Sequence, residues 1–261
     1  MLELFKHAHL PPNKRYWLLM KVAPLDRLQQ MQKGLIYMNS LEYFSNLKGE
    51  DGIKVRSDEL EAVYAQFQTG VTRNNRRIEI SLSHPSFGSF DVPPKTHATL
   101  NVPSPANTFI FCMTSIGEDR DGQIRNLKGN KYYMDRRMKK FGSHTLIISN
   151  PAKFFARYSK AMNSNPGYYT ADYMDGGCGL VEYKKLNKLK NKVGLFVKDK
   201  DYSWQDEYRF VLGANESLMN QSGALELDIG DISDISFIME TKQLIQEPLT
   251  VDRTTSESYT N

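Results

Sequence analysis

Cysteine is scarce in this 261-residue chain: Cys112 and Cys178 are the only two. Two thiols cannot build a disulfide framework or a cysteine zinc cluster, and such scarcity fits a reducing cytoplasm. Long apolar runs are missing as well. None approaches the ~20 residues that cross a bilayer, so no membrane partner is expected. The opening MLELFKHAHLPPNKRYW carries acid and proline and has no apolar core, so no secretory leader is expected either. Other absences concern chemistry. Gly176, Gly177 and Gly179 are followed by no GK[ST], which excludes a phosphate loop. Asp172, Asp175 and Glu182 lack the spacing of a metal loop, and the acids are too scattered for a metal-dependent nuclease. His7 and His9 are the only histidines at ligand spacing, and a solvated tail accounts for them. No metal is therefore expected. No Ser/His/Asp set is evident, and Cys178, among glycine and leucine, reads as inert core rather than nucleophile. The chain has no internal repeat and no low-complexity tract.

What is present is an ordinary globular composition, 40% hydrophobic and 25% charged. The net charge of +4, with an isoelectric point near 8.8, permits a polyanionic partner without demanding one. The basic residues cluster in three runs. These are VTRNNRRIEI (Arg73, Arg76, Arg77), MDRRMKK (Arg136, Arg137, Lys139, Lys140) and KKLNKLKNK from Lys184 to Lys192. Each is read first as a solvated face and second as a track for phosphates.

The apolar pattern predicts a buried strand over Tyr16–Val22. A helix follows, with Leu25, Leu28 and Met31 at helical spacing and Gly34 as its stop, then a strand over Leu35–Asn39. Ser40 is placed to cap a further turn through SLEYFSNL. Residues 66–107 are rich in Thr, Asn, Ser and Pro; SHPSFGSFDVPPKTH reads as a loop or edge ribbon. Beyond 108 come strand-like TFIFCMTSI and HTLIISN, then a helix from Asn150-Pro151 through FFARYSKAM. CGLVEYKK reads as a strand, VGLFVKD as a strand or short helix, and WQDEYRFVL, GALELDIG and ISDISFIM as three further strands. One strand–helix–strand unit followed mainly by strands predicts an α+β fold with a largely antiparallel β core. Residues 1–253 are expected to form a single domain, with 52–107 either a lid-like insertion or part of the core, and 254–261 a flexible tail.

The most chemically suggestive stretch is DKDYSWQDEYRFVL, residues 199–212. An aromatic-bearing loop with Tyr202 and Trp204 runs into a strand that is expected to start at Gln205. Strand side chains repeat with period two, so Gln205, Glu207, Arg209 and Val211 would share one face and Asp206, Tyr208, Phe210 and Leu212 the other. The second face reads as core. The first reads either as a solvent face, with Glu207 and Arg209 in ordinary cross-strand ion pairs, or as a carboxylate and an amide at a binding mouth.

Gln205-Asp206-Glu207, then YRFVL, a gap and GALELDIGDISDISFIM, resemble the C-terminal half of the ADP-ribosyltransferase fold. LLMKVAPLDRLQQMQKGLIYMNSLEYF is similar to the strand, helix and second strand that open many such proteins. The whole chain also resembles bacterial proteins associated with abortive infection and phage resistance. The resemblance implies a split antiparallel β core flanked by helices, and NAD as co-substrate. Glu207 and Gln205 would be catalytic: Glu207 would bond a ribose hydroxyl and stabilise an oxocarbenium-like centre, and Gln205 would orient the acceptor or a hydroxyl. Tyr37 or Tyr43 would stack on nicotinamide, although their apolar neighbours equally fit a core role. Ser40 would support the pocket, and Tyr202 and Trp204 would touch the target. Lys21 stands where the family usually has Arg or His; a lysine pairs with pyrophosphate but cannot fork bidentately. Arg56 is the substitute for that contact, or a solvated loop charge. The family's Ser-Thr-Ser is absent. The implied activity is transfer of ADP-ribose to a macromolecule, RNA, DNA or protein, by a toxin or anti-phage effector with an antitoxin partner. Two other readings stand beside it: a catalytically inert binding module, and an NAD glycohydrolase or metal-free nuclease.

Overall fold

The computed structural model describes residues 15–47, 62–70, 72–73, 76–77, 79–86, 88–118, 124, 127–186 and 191–250. Its principal elements, in chain order, are β1 (Arg15–Ala23), α1 (Leu25–Gln32), β2 (Leu35–Ser40), α2 (Leu41–Asn46), β3 (Val63–Gln68), β4 (His97–Asn101), β5 (Thr108–Glu118), β6 (His144–Ile148), α3 (Pro151–Asn163), β7 (Tyr168–Tyr169), β8 (Cys178–Leu180), β9 (Glu182–Lys184), β10 (Val197–Asp199), β11 (Glu207–Ala214), β12 (Leu225–Asp228), β13 (Ser236–Glu240) and α4 (Thr241–Gln246). The fold is mixed α+β, with few helices and mostly antiparallel pairing. The described chain forms two compact units. Of the described residues, those within 37–111 and 162–226 belong to the first, and those within 15–36, 112–161 and 227–250 to the second.

In the second unit, β1 lies between β5 and β6, and β13 pairs with the far side of β6, every pair antiparallel. The apolar run read from the sequence becomes the centre of this sheet: Leu19, Met20, Leu146, Ile147 and Ile148 are fully buried. Leu28 and Met31 of α1 and Phe154 and Tyr158 of α3 are buried with them. The helical spacing of Leu28 and Met31 is what puts both on the inward face. Gly34 ends α1 as expected, at φ 112°, where its N–H donates to Met31 O at 2.9 Å. A Cβ there would crowd Gly230 O at 2.6 Å, so close backbone approach as well as the dihedral calls for glycine. Asn150 starts α3, its Oδ1 accepting from Lys153 N at 3.0 Å, with Pro151 at the first helical position.

In the first unit, β2 pairs with the start of β5, Ser40 opposite Phe109. β5 is followed in the sheet by β11, whose other edge carries β7 and β8. All eight residues of β11 are buried. Of the two readings of the Glu207 face, the solvent-facing one is overturned: Glu207 and Arg209 lie in the interior along with Tyr208 and Phe210. Glu182–Lys184 and Val197–Asp199 pair in parallel, and β3 pairs with β4. Ser81–His84 and Gly88–Asp91 form the expected ribbon, exposed throughout. The anticipated tail, 254–261, lies outside the described residues, as does 52–61, the first part of the stretch read as a lid.

Candidate functional site

The expected strand does not begin at Gln205. Lys200–Gln205 forms a 3-10 turn, Asp206 turns the chain in the left-handed region (φ 43°, ψ 47°), and only then does β11 start at Glu207. Aspartate is among the few side chains that tolerate that conformation. The turn is pinned from its start by Asp199. One carboxylate oxygen accepts from Asp201 N at 3.0 Å, the other from Leu186 N at 3.1 Å. Gln205 and Glu207 are therefore not alternate residues of one strand face. They are nonetheless brought together by a residue that the sequence did not single out.

That residue is Lys198. Its ammonium donates to Glu207 Oε2 at 2.8 Å and to Gln205 Oε1 at 3.3 Å, and lies 5.7 Å from the centre of the Tyr202 ring. The other carboxylate oxygen, Glu207 Oε1, accepts from Arg209 Nε at 2.8 Å, and Arg209 Nη1 donates to Leu195 O at 2.6 Å. The backbone N–H of Glu207 donates to the hydroxyl of Tyr183, which stands opposite Lys198 in the neighbouring strand. Glu207 is 4% exposed, and Lys198, Gln205 and Arg209 are buried as well. Burial, and next the negative charge of Glu207, push the Tyr183 phenol upward, so it stays protonated. The cluster thus holds two cations and one carboxylate in a water-poor site, where charges interact strongly and any unbalanced one is costly.

The remaining expected residues lie as follows. Tyr202 and Trp204 are half-buried in the 3-10 turn. Ser40 caps α2, its hydroxyl accepting from Tyr43 N at 3.1 Å, so the helix start explains this serine. Tyr37 and Tyr43 are not core: they are 41% and 48% exposed. Tyr37 shares a hydrogen bond with Ser222 Oγ at 3.1 Å, and Tyr43 meets Phe44 edge-on. Lys21 belongs to the second unit, where its ammonium donates to Cys112 O at 2.6 Å. Arg56 lies outside the described residues. The structure brings together Gln205, Glu207 and Tyr202, whereas Ser40 bonds Tyr43 N, Tyr37 bonds Ser222 and Tyr43 meets Phe44. Lys198 and Arg209 were missed for different reasons. No spacing rule links a lysine to a glutamate nine residues later across a turn, whereas Arg209 was visible as the i+2 neighbour of Glu207 but read as a surface partner.

Among the described residues no group of three His, Cys, Asp or Glu is placed to hold a metal ion, and no helix is long and apolar enough to cross a membrane. Cys178 is fully buried, and burial pushes its thiol up to about 12. The chain matches no family model, no curated protein and no solved structure.

Proposed function

We propose that this chain is an NAD-dependent ADP-ribosyltransferase-like toxin or anti-phage effector of the cytoplasm, acting on a macromolecule. The observation that carries this reading is the fixed Glu207 carboxylate, held on both oxygens by Lys198 and Arg209 directly after the Tyr202–Trp204 turn. A preorganised negative charge is what a developing oxocarbenium centre needs, and it costs no reorganisation at the moment of reaction. In the step itself the bond from ribose C1′ to the nicotinamide nitrogen breaks, and nicotinamide leaves with the electron pair. A nucleophilic oxygen or nitrogen of the acceptor then bonds to C1′ and gives up its proton. Gln205, on the same ammonium as Glu207, orients the acceptor or a ribose hydroxyl. Tyr202 and Trp204 meet the target, and the exposed ring of Tyr37 or Tyr43 offers a face for nicotinamide.

One observation favours a second reading, a catalytically inert binding module. Glu207 is almost fully buried and both its oxygens are already bonded, as a structural lock requires. Nicotinamide release from NAD in the presence of cell extract separates the two. The transferase reading expects release by the wild type and none by Glu207→Gln, compared at a temperature at which circular dichroism shows both folded. If the wild type releases none, the enzyme reading is lost and the binding module stands. Label from NAD recovered on RNA, DNA or protein identifies the acceptor.

A further inference from the structure

The segment Leu127–Lys140 concentrates charge of one sign. It carries six cations, Lys128, Lys131, Arg136, Arg137, Lys139 and Lys140, against one carboxylate, Asp135. It lies wholly within the second unit. Three apolar anchors fix its backbone: Tyr132, Met134 and Met138 are buried. Leu127–Lys128 and Lys131–Tyr132 form a tight hairpin, turning through Gly129, and Leu249–Thr250 pairs with its outer strand. Asp135 then starts the 3-10 turn Arg136–Lys140, accepting from Arg137 N at 2.9 Å. With the anchors pointing inward, the basic side chains are left outward, and all six are exposed.

Their pairing separates them. The Asp135 carboxylate takes the Arg137 fork on both oxygens, at 2.9 and 2.8 Å. Among the described residues, no ion pair joins Lys128, Lys131, Arg136, Lys139 or Lys140 to a carboxylate. Five cations thus share one surface segment without an ion pair to a carboxylate among the described residues. The same segment carries an aromatic ring, Tyr133, 41% exposed, with Lys128 Nζ 5.5 Å from its centre. A row of cations tracks a phosphodiester backbone, and an exposed ring gives an unpaired base a stacking face that is indifferent to sequence.

We infer that this surface binds single-stranded nucleic acid, with Lys128, Lys131, Arg136, Lys139 and Lys140 on the phosphates and Tyr133 stacked on a base. A stacking ring favours a nucleic acid over an anionic membrane, which offers charge but no base, and favours a single strand over a duplex, whose bases are already stacked. The inference does not rest on Glu207 and needs no NAD, so it stands or falls separately from the transferase reading.

The test is fluorescence anisotropy of labelled single-stranded RNA and DNA of mixed sequence, titrated with the full chain across a salt series. Binding weakens with salt by about 0.7 logarithmic units per phosphate contact for each decade of salt. Replacing two of the contacts in Lys139→Gln/Lys140→Gln therefore flattens the slope by about 1.4. Tyr133→Ala weakens binding on the order of tenfold. A Lys184→Gln/Lys185→Gln control, in a different basic run, leaves both unchanged. All are surface changes, and unchanged thermal melts confirm that folding is intact. Four results would each overturn the inference: no binding at low salt, an equal loss in the control, duplex bound as tightly as single strand with Tyr133→Ala silent, or binding only to vesicles containing phosphatidylserine.

Discussion

The Nζ of Lys198 lies 2.8 Å from Oε2 of Glu207, with the two side chains 8% and 4% exposed. Arg209 reaches the other oxygen of the same carboxylate at 2.8 Å, so one buried anion serves two buried cations. The three side chains come from the last strand before a 3-10 turn and from the strand just after it. They therefore tie the turn that carries Tyr202 and Trp204 to the core.

The arrangement predicts an order of stabilities. Removing one partner of a buried ion pair costs about 3–5 kcal/mol, because the other is left uncompensated. Lys198→Met leaves Glu207 still paired with Arg209. Glu207→Ala leaves two cations facing each other without an anion, and is expected to cost clearly more. Urea unfolding of both variants checks this, and equal losses would contradict the central place of Glu207.

The cysteines should separate in reactivity. Cys112 is partly exposed, while Cys178 is buried with its thiol raised to about 12. At pH 8 about one part in 10⁴ of Cys178 is thiolate. A thiol reagent is expected to label Cys112 in the native protein and Cys178 only after unfolding. Two equivalents released at native conditions would refute the burial.

The same thiol implies a loss of stability in alkali. Its folded value is raised above the unfolded value near 9, so the unfolded chain gives up the proton first. The contribution is intact below about pH 9 and falls by about 1.4 kcal/mol per pH unit as pH rises towards 12. Cys178→Ala lacks this term, so its stability deficit relative to wild type should shrink between pH 8 and pH 10 in denaturant titrations.

Two glycines predict opposite outcomes from the same substitution. A Cβ on Gly142 would collide with the backbone of Ala23, and backbone in a paired strand cannot move aside. A Cβ on Gly213 would collide with the ring of Tyr169, which is at the protein surface and can rotate away. Gly142→Ala is expected to lower the melting temperature strongly and Gly213→Ala only slightly. Equal shifts would show that the Tyr169 ring is as fixed as the Ala23 backbone.

Local signals made much of the fold legible. Period and caps were enough for α1 from Leu28, Met31 and Gly34, for α2 from Ser40, and for α3 from Asn150-Pro151. These are near-neighbour effects, set by backbone dihedrals and by hydrogen bonds a few residues apart. The candidate site was legible only in part. Residues 199–212 stood out for their composition, but period-two alternation could not register that the left-handed Asp206 breaks the strand before Glu207.

The sequence alone determined the mixed α+β class, the strand–helix–strand opening and the apolar runs that become buried strands, because each depends on residues close together in the chain. Tertiary structure decided the environment of the charges. Glu207 and Arg209 alternate just as surface ion pairs do, and only the burial of both faces of β11 places them in the interior. Tyr37 and Tyr43 have apolar neighbours in sequence, and only the packing of those neighbours leaves the rings outside. Lys198 found its carboxylate across a turn that no periodicity encodes. Burial depends on what the rest of the chain places against a side chain, and that information is spread over distant segments.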